Sequence, residues 1–149
     1  MKVKSALILI FLIFVTKIYF SNASIAIISN CQELQNMKST GIYSISQIID
    51  CSGIVPFNSI PLFSGTLQGN NNIIQNVVLN SSLSQVGIFK CLSGATIQDL
   101  VLLNFTANSS FSCVGSLSGK ATNTNITNVH LKALSSSPNL ICGSSFVGG

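Results

Sequence analysis

Short stretches in which apolar and polar residues alternate recur along the chain, separated by Gly, Asn and Ser. Three of them superpose without gaps, beginning at residues 74, 97 and 126, with the shared pattern Ile-x-Asn/Asp-Φ-x-Φ, where Φ is apolar. The Φ-x-Φ tail alternates as a strand with one buried face does. Asn and Asp tolerate the left-handed backbone of a tight corner. We therefore predict that Asn76, Asp99 and Asn128 occupy equivalent corners and stack into a side-chain ladder.

A second pattern repeats in the stretches that follow these three segments. Val86-Gly87 recurs as Val114-Gly115, and Val147-Gly148 begins a third copy. The spacing of the copies is typical of one repeat per turn of a solenoid. The pattern predicts an all-β fold, a right-handed parallel β-helix (β-solenoid). The alternative is an antiparallel β-sandwich, which has similar short strands and turns, but the in-phase copies favour the solenoid.

The N-terminal part of the repeat region predicts a cap. Residues 31–37 form a short amphipathic pattern with Asn30 as candidate N-cap, and residues 41–45 follow as a strand. The open end of a solenoid exposes unpaired backbone and apolar core, so this helix is the expected capping helix. The other end stops at Gly149 within a repeat. We expect a fragment of a longer product, or self-association at the open C-terminal end.

The first 23 residues resemble a signal peptide. Lys2 and Lys4 precede an apolar run at residues 6–15, and small residues at 21–23 predict cleavage before Ser24. The alternative, a retained anchor, needs about 20 apolar residues, and Lys17 interrupts the run. We predict a secreted, extracellular chain in which residues 24–149 form one repeat domain, and membrane contact only through the leader during export.

Export permits disulfides and glycans. The chain has five cysteines, and we favour a Cys31–Cys51 bridge because these residues bracket the N-terminal segment. Buried free cysteines are the alternative. Within the repeat region, sequons for N-glycosylation begin at Asn80, Asn104, Asn108 and Asn125.

Charge is scarce after the leader and limits the classes of function. After the leader the chain has four lysines, at positions 38, 90, 120 and 132, and three acids, Glu33, Asp50 and Asp99. Arginine is absent from the sequence. Four scattered lysines make no patch for phosphate, so we expect no nucleic-acid partner. One histidine and no CxxC pair predict no metal site.

Residues 63–70 (F-S-G-T-L-Q-G-N), followed by residues 74–77 (I-Q-N-V), resemble the opening of GLUG-type and related pectin-lyase-like β-helix proteins. Residues 33–34, 41–43 and 49–51 match the preceding part of that opening, and residues 87–89 and 94–100 match its continuation. The resemblance covers roughly residues 31–149. It implies the β-helix fold and an extracellular, often adhesive role. Gln68 stands where these proteins usually carry an acid, which places an ion-binding role of this position in doubt.

The chemistry of the residues does not support an enzyme. A lyase of the pectin-degrading kind needs carboxylates to bind calcium and a strong base, commonly arginine. This chain has no arginine and only three acids after the leader. A glycosidase needs two carboxyl groups about 5 to 9.5 Å apart, whereas Asp50 and Asp99 lie in different repeat phases. His130 is expected to point outward, and the sequence places no Ser or Cys nucleophile beside it. We predict no catalytic residue and no cofactor.

The predicted function is a non-enzymatic surface module for adhesion, binding glycans or cell-surface proteins. Its expected contacts are exposed Asn, Ser and Thr together with Tyr43 and Phe57. Two alternatives stay open: a structural spacer, and part of a polysaccharide lyase or glycosidase whose catalytic residues lie outside this chain.

Overall fold

The computed structural model describes residues 24–81, 84–109, 113–133, 140–142 and 146–148, and nothing is described of the side chains of residues 81, 108, 140–142 and 146–148. The predicted signal peptide lies outside these residues. The described chain is built from short strands in four parallel sheets, which it visits in turn, and one short helix.

The largest sheet, here called sheet A, has six strands. Its pairing order is β1–β2–β5–β9–β13, and β3 also pairs with β5. The strands are β1 (Ile25–Ile28), β2 (Ile42–Ile45), β3 (Ile49–Asp50), β5 (Thr66–Gln75), β9 (Thr96–Leu103) and β13 (Asn125–Lys132).

Three further sheets contain three strands each. Sheet B consists of β4 (Ile60–Phe63), β8 (Phe89–Ser93) and β12 (Ser118–Thr122). Sheet C consists of β6 (Val78–Ser81), β10 (Thr106–Ser109) and β14 (Leu140–Cys142). Sheet D consists of β7 (Gln85–Val86), β11 (Cys113–Gly115) and β15 (Phe146–Gly148).

Each long-range pairing joins one pass of the chain to the next. From β5 to β12 the chain runs twice through sheets A, C, D and B, and each strand pairs in parallel with its counterpart in the next pass. The second repeat pattern is confirmed, because Val86 pairs with Val114 and Val114 with Val147. All pairs among the described strands are parallel, so the antiparallel sandwich is wrong. We call one such pass a coil.

The core runs through the middle of the stacked coils. In sheet A, Tyr43, Leu67 and Ile97 stack in one inward column and are buried. Phe63 stacks on Phe89 with ring centroids 5.1 Å apart, a geometry that contributes about 0.5–1.5 kcal/mol beyond the area it buries. Buried and half-buried residues alternate along β9 on each side of the corner at Asp99, which is the predicted one-sided strand pattern.

The predicted helix and disulfide are both present at the N-terminal end. Helix α1 (Cys31–Gln35) begins after Asn30, whose side chain accepts a 2.9 Å hydrogen bond from the backbone N–H of Glu33. It ends two residues before the predicted bound, because Asn36 already leaves the helical backbone. Leu34 is fully buried in the core. Cys31 and Cys51 form the expected disulfide, with their Cα atoms 5.2 Å apart.

Strand β1 is an element that sequence analysis missed. It precedes α1 and pairs in parallel with β2, so that Ala26 lies beside Tyr43. Its residues are all apolar and give no alternation, since Ile25 and Ile27 point outward and are exposed. One further strand of sheet A therefore lies before the predicted cap.

Side-chain ladders between the coils are present, but of the three residues predicted to form one ladder, Asn76 lies in a different ladder from Asp99 and Asn128. Asn128 donates a 2.7 Å hydrogen bond to Asp99, as predicted. Asn76 instead stacks between Asp50 and Asn104: it donates to Asp50 at 3.0 Å and accepts from Asn104 at 2.5 Å. The coils therefore carry two side-chain columns, the Asp99 column (Asp99 and Asn128) and the Asn76 column (Asp50, Asn76 and Asn104).

The reason for this difference is a bulge in β5. Gln68 pairs with Gln98 and Asn72 with Leu100, so residues 69–71 lie opposite the single residue Asp99. Ile74 consequently pairs with Leu102 instead of Ile97. The segment at 74 is equivalent to Leu102-Leu103-Asn104 in the next coil, which carries the same Φ-x-Asn pattern.

Candidate functional site

Sheet A has more strands than any other sheet among the described residues, and its outer face carries the candidate site. Because its strands pair in register, outward side chains line up in rows that run across the coils. Two neighbouring rows, here called the polar rows, consist of Thr66, Thr96 and Asn125, and of Ser44, Gln68, Gln98 and Thr127. Neighbouring members of a row are one strand spacing apart, about 4.8 Å.

The polar rows carry unused hydrogen-bonding groups. Gln68 and Gln98 are half-buried, lie side by side on paired strands, and make no side-chain hydrogen bond among the described residues. The side chains of Thr66, Thr96 and Thr127 likewise make no hydrogen bond among the described residues. Ser44 differs, since its hydroxyl accepts a 2.8 Å hydrogen bond from Asn70. Most members of these rows therefore retain donors and acceptors for a ligand.

An apolar strip borders the polar rows. Ile73 and Val101 pair on β5 and β9 and point outward, and Leu103 lies in the next outward row. All three are half-buried. Their row continues to His130, and the Leu103 row continues to Lys132. The face thus combines uncharged polar groups with a shallow apolar surface, with a cation at one corner.

Asp50 lies at the opposite end of the Leu103 row. Gln75, its neighbour in that row, and Asn76 both donate to its carboxylate, each at 3.0 Å. The side-chain hydrogen bond from Asn76, then the backbone N–H of Ser52 and the amide of Gln75, hold the pKa of Asp50 well below its ordinary value. Asp50 is therefore an ionised acceptor already engaged by its own chain.

The candidate catalytic groups lie in the side-chain columns or beside them. Asp50 belongs to the Asn76 column and Asp99 to the Asp99 column. The Nε2 atom of His130 lies 2.8 Å from the amide oxygen of Asn128. The structure brings neither aspartate to a second carboxylate within its column. Within the described residues there is no group of three or more His, Cys, Asp or Glu that could hold a metal ion.

The prediction that Tyr43 and Phe57 are exposed contact residues is wrong. Tyr43 and Phe57 are buried in the core, and the hydroxyl of Tyr43 accepts a 3.0 Å hydrogen bond from the backbone N–H of Lys38. The polar rows were missed instead. Their signal in the sequence is the repeated Thr-Φ-Gln of residues 66–68 and 96–98, just before the bulge and corner of sheet A.

The predicted modification sites differ in accessibility. Asn80 on β6 and Asn125 on β13 are exposed. The amide of Asn104 is engaged by Asn76, and Phe105 next to it is buried. The side chain of Asn108 lies outside the described residues. Cys91 and Cys113 are half-buried free thiols, and the side chain of Cys142 is not described.

No helix in the described ranges is long and apolar enough to span a membrane. Comparison of the chain with protein-family models, with curated proteins and with solved structures found no match.

Proposed function

We propose that the chain is a secreted, right-handed parallel β-helix that acts as a non-enzymatic binding module, holding an extended, uncharged polysaccharide along the polar rows of sheet A. The parallel coils support the β-helix. Connections between parallel strands of one sheet are right-handed in about 98% of cases, which supports the handedness. The GLUG-like motif at residues 63–70 agrees with both.

The observation that carries the proposal is the pair of polar rows. Gln68, Gln98 and Thr127 present free hydrogen-bonding groups at successive strand spacings. One strand spacing is close to the length of one sugar residue in an extended polysaccharide. Each sugar can then meet an equivalent side chain, so that weak contacts add up along the polymer.

The neutral character of the rows selects the class of glycan. The members of the polar rows are Thr, Ser, Asn and Gln, without Lys or Arg. Anionic sugars are normally held by Arg or Lys through charge-assisted hydrogen bonds. The half-buried Ile73 and Val101 beside the rows suit the C–H faces of neutral sugar rings.

Secretion and the lack of catalysis rest on separate observations. The Cys31–Cys51 disulfide is typical of chains that fold in an oxidising compartment, and the leader pattern at residues 1–23 agrees. Asp50 and Asp99 both accept hydrogen bonds from asparagine amides of neighbouring coils, a structural use that competes with acid–base chemistry.

The experiment compares binding to neutral and anionic polysaccharides. The secreted protein is incubated with insoluble β-linked neutral glycans and with pectate, and the bound fraction is measured as a function of salt. We expect binding to the neutral polymer that is nearly independent of salt. A Gln68→Ala/Gln98→Ala variant should bind at least about tenfold more weakly, from the loss of two hydrogen-bonding side chains.

The matched control is Thr122→Ala on sheet B, which removes an exposed polar side chain away from the rows. Both variants should unfold at the temperature of the wild type. Undiminished binding by the Gln68→Ala/Gln98→Ala variant contradicts the proposed surface. Failure to bind any neutral glycan leaves the structural spacer as the better account.

A further inference from the structure

Sheet A has an inward column that is buried in the middle and exposed at both ends. The column contains Ala26, Tyr43, Leu67, Ile97 and Ile126 in successive strands. Tyr43, Leu67 and Ile97 are buried, whereas Ala26 is exposed and Ile126 is 44% exposed. Both end strands therefore present core positions to solvent.

The two edges also share one register. Ile25 corresponds to Ile42, Thr66, Thr96 and Asn125 through four successive pairings. A strand with the sequence of β1, placed in parallel on β13, would therefore put Ala26 over Ile126 and continue the column. Among the described strands, β1 and β13 each pair on one side only. Unpaired edges of this kind are templates for strand addition.

The N-terminal end has a hollow that suits this contact. A cavity of about 480 Å³ lies beside β1, α1 and β2. Its lining includes the apolar Ala26, Ile28 and Met37 and the polar Glu33 and Lys38. At the other end, Ile126 is joined by Val129 and Leu131, which are only partly buried although they pair with the buried Leu100 and Leu102. An apolar ridge thus lies at one end, and a hollow with apolar and charged lining residues lies at the other.

The charges of the two ends are opposite. The first coil carries Glu33 and Asp50 against Lys38, and hydrogen bonds keep both carboxylates ionised. The last strands of sheets A and B carry Lys132 and Lys120 without a described acid in either strand. Asp50 and Lys132 even occupy the same outward row. Opposite charge at opposite ends favours a head-to-tail contact and disfavours contacts between like ends.

We propose that the occupant of the β13 edge is a second copy of this chain, docked head to tail by its β1 strand. Such a contact is heterologous: it uses two different surfaces and leaves both free on the outer copies. Because the second copy repeats the direction of the first coil stack, association continues into an open filament.

The test measures the mass of the assemblies that the full chain forms in solution, as a function of protein concentration, by sedimentation velocity and light scattering. The wild type should grow beyond a dimer without a preferred size, and added salt should weaken the growth. A Lys120→Glu/Lys132→Glu variant should associate at least about tenfold more weakly, because attraction between the ends becomes repulsion. A Glu33→Lys variant should do the same from the other end.

Mixing the two variants separates this contact from general aggregation or misfolding. Each variant alone should associate at least about tenfold more weakly than the wild type, and the mixture should regain association, because the reversed charges attract each other again. The matched control Lys90→Glu changes a lysine of sheet B on a strand paired on both sides, and it should associate as the wild type does. A protein that stays monomeric throughout, stops at a dimer, or shows no rescue on mixing overturns the proposal; the first outcome is expected if a further coil of a longer product covers β13.

Discussion

The amide of Asn128 donates a 2.7 Å hydrogen bond to the carboxylate of Asp99, one coil away. Both residues have left-handed backbone, with φ near 52° and 54°. The corner that turns the chain therefore also supplies the side chain that ties it to the next coil. Asn76 and Asn104 repeat the arrangement at the second corner of sheet A, again with φ above 50°. Asparagine suits both tasks, because its short side chain tolerates this backbone and hydrogen-bonds locally.

Asn76 is expected to be a strong determinant of stability. Asn76→Ala removes the hydrogen bonds to Asp50 and Asn104 and leaves a Cβ residue in left-handed backbone. We expect the free energy of unfolding to fall by about 3 kcal/mol. Asn76→Gly relieves the backbone cost and should lose about half as much. Urea unfolding measures both, and Gln98→Ala, expected within about 0.5 kcal/mol of the wild type, is the control. Equal losses for Ala and Gly would contradict the backbone part of the argument.

The lowered pKa of Asp50 predicts acid sensitivity with a definite sign. Its pKa is lower in the folded protein than in the unfolded chain, so on acidification the unfolded chain takes up the proton first. The stabilisation is fully present above the ordinary aspartate pKa of about 3.9 and is lost as pH falls below it. Hydrogen bonds from Ser29 lower the pKa of Glu33 as well, so Glu33 contributes to the loss of stability in acid in the same direction.

Asp50→Asn should therefore reduce the slope of stability against pH. We would measure the midpoint of urea unfolding from about pH 6 to about pH 2 for the wild type and the variant. The variant is expected to be less stable at pH 6 and closer to the wild type at pH 2. An identical loss on acidification in the two proteins would show that Asp50 does not titrate as described.

Gly69 should not accept a side chain, whereas Gly53 should. A Cβ atom at Gly69 would lie 2.2 Å from the carbonyl oxygen of Asp99 in the next coil. A Cβ atom at Gly53 would meet nothing within 4 Å. We expect Gly69→Ala to lower the free energy of unfolding by about 3 kcal/mol or to prevent folding, and Gly53→Ala to change it by less than about 0.5 kcal/mol. Thermal unfolding of the pair decides, and a tolerated Gly69→Ala would mean that the coils are not in this contact.

Of two sequons on neighbouring coils, only one is expected to carry a glycan in the folded protein. Asn125 is exposed at the start of β13, whereas Asn104 uses its side-chain nitrogen to bind Asn76. A glycan replaces one of the two hydrogens on that nitrogen and adds a bulky sugar to the atom that contacts Asn76, so a chain modified at Asn104 should fail to close its ladder. After expression in a glycosylating host, Asn125→Gln should lower the intact mass by one glycan and Asn104→Gln should not. A glycan mapped to Asn104 in folded protein would contradict the ladder.

Features that depend on a few consecutive residues could be predicted from the sequence. The N-cap at Asn30, the strand at Ile42–Ile45 and the parallel stacking of the Val86 and Val114 segments are confirmed. The disulfide was favoured because Cys31 and Cys51 bracket one segment, and the fold brings their Cα atoms together. Each of these features depends on local chemistry or on a short sequence pattern that recurs in successive coils.

The register of β5 could not be predicted, because the next coil contains two Φ-x-Asn/Asp-Φ corners of similar sequence, at residues 97–100 and at residues 102–105. Similarity alone aligned Ile74 with Ile97, the other corner of the next coil. The bulge at residues 69–71 decides the matter, and it is held by Asn70 and Asn72, which both donate to the carbonyl of Ile45 at 2.9 Å. Those contacts appear only once the strands are paired. The polar rows depend on this register and were missed for the same reason.

The register of sheet A can be measured directly with two pairs of cysteines. The structure places Gln68 beside Gln98, within the Cα separation that a disulfide tolerates, and Gln75 beside Leu103. The gapless alignment of the repeats would instead place Gln75 beside Gln98. Each cysteine pair is introduced into the full chain, oxidised, and mapped by peptide mass spectrometry. The account predicts a disulfide in the Gln68→Cys/Gln98→Cys variant and none between the new cysteines of the Gln75→Cys/Gln98→Cys variant; the reverse result would contradict the coil register and the polar rows built on it.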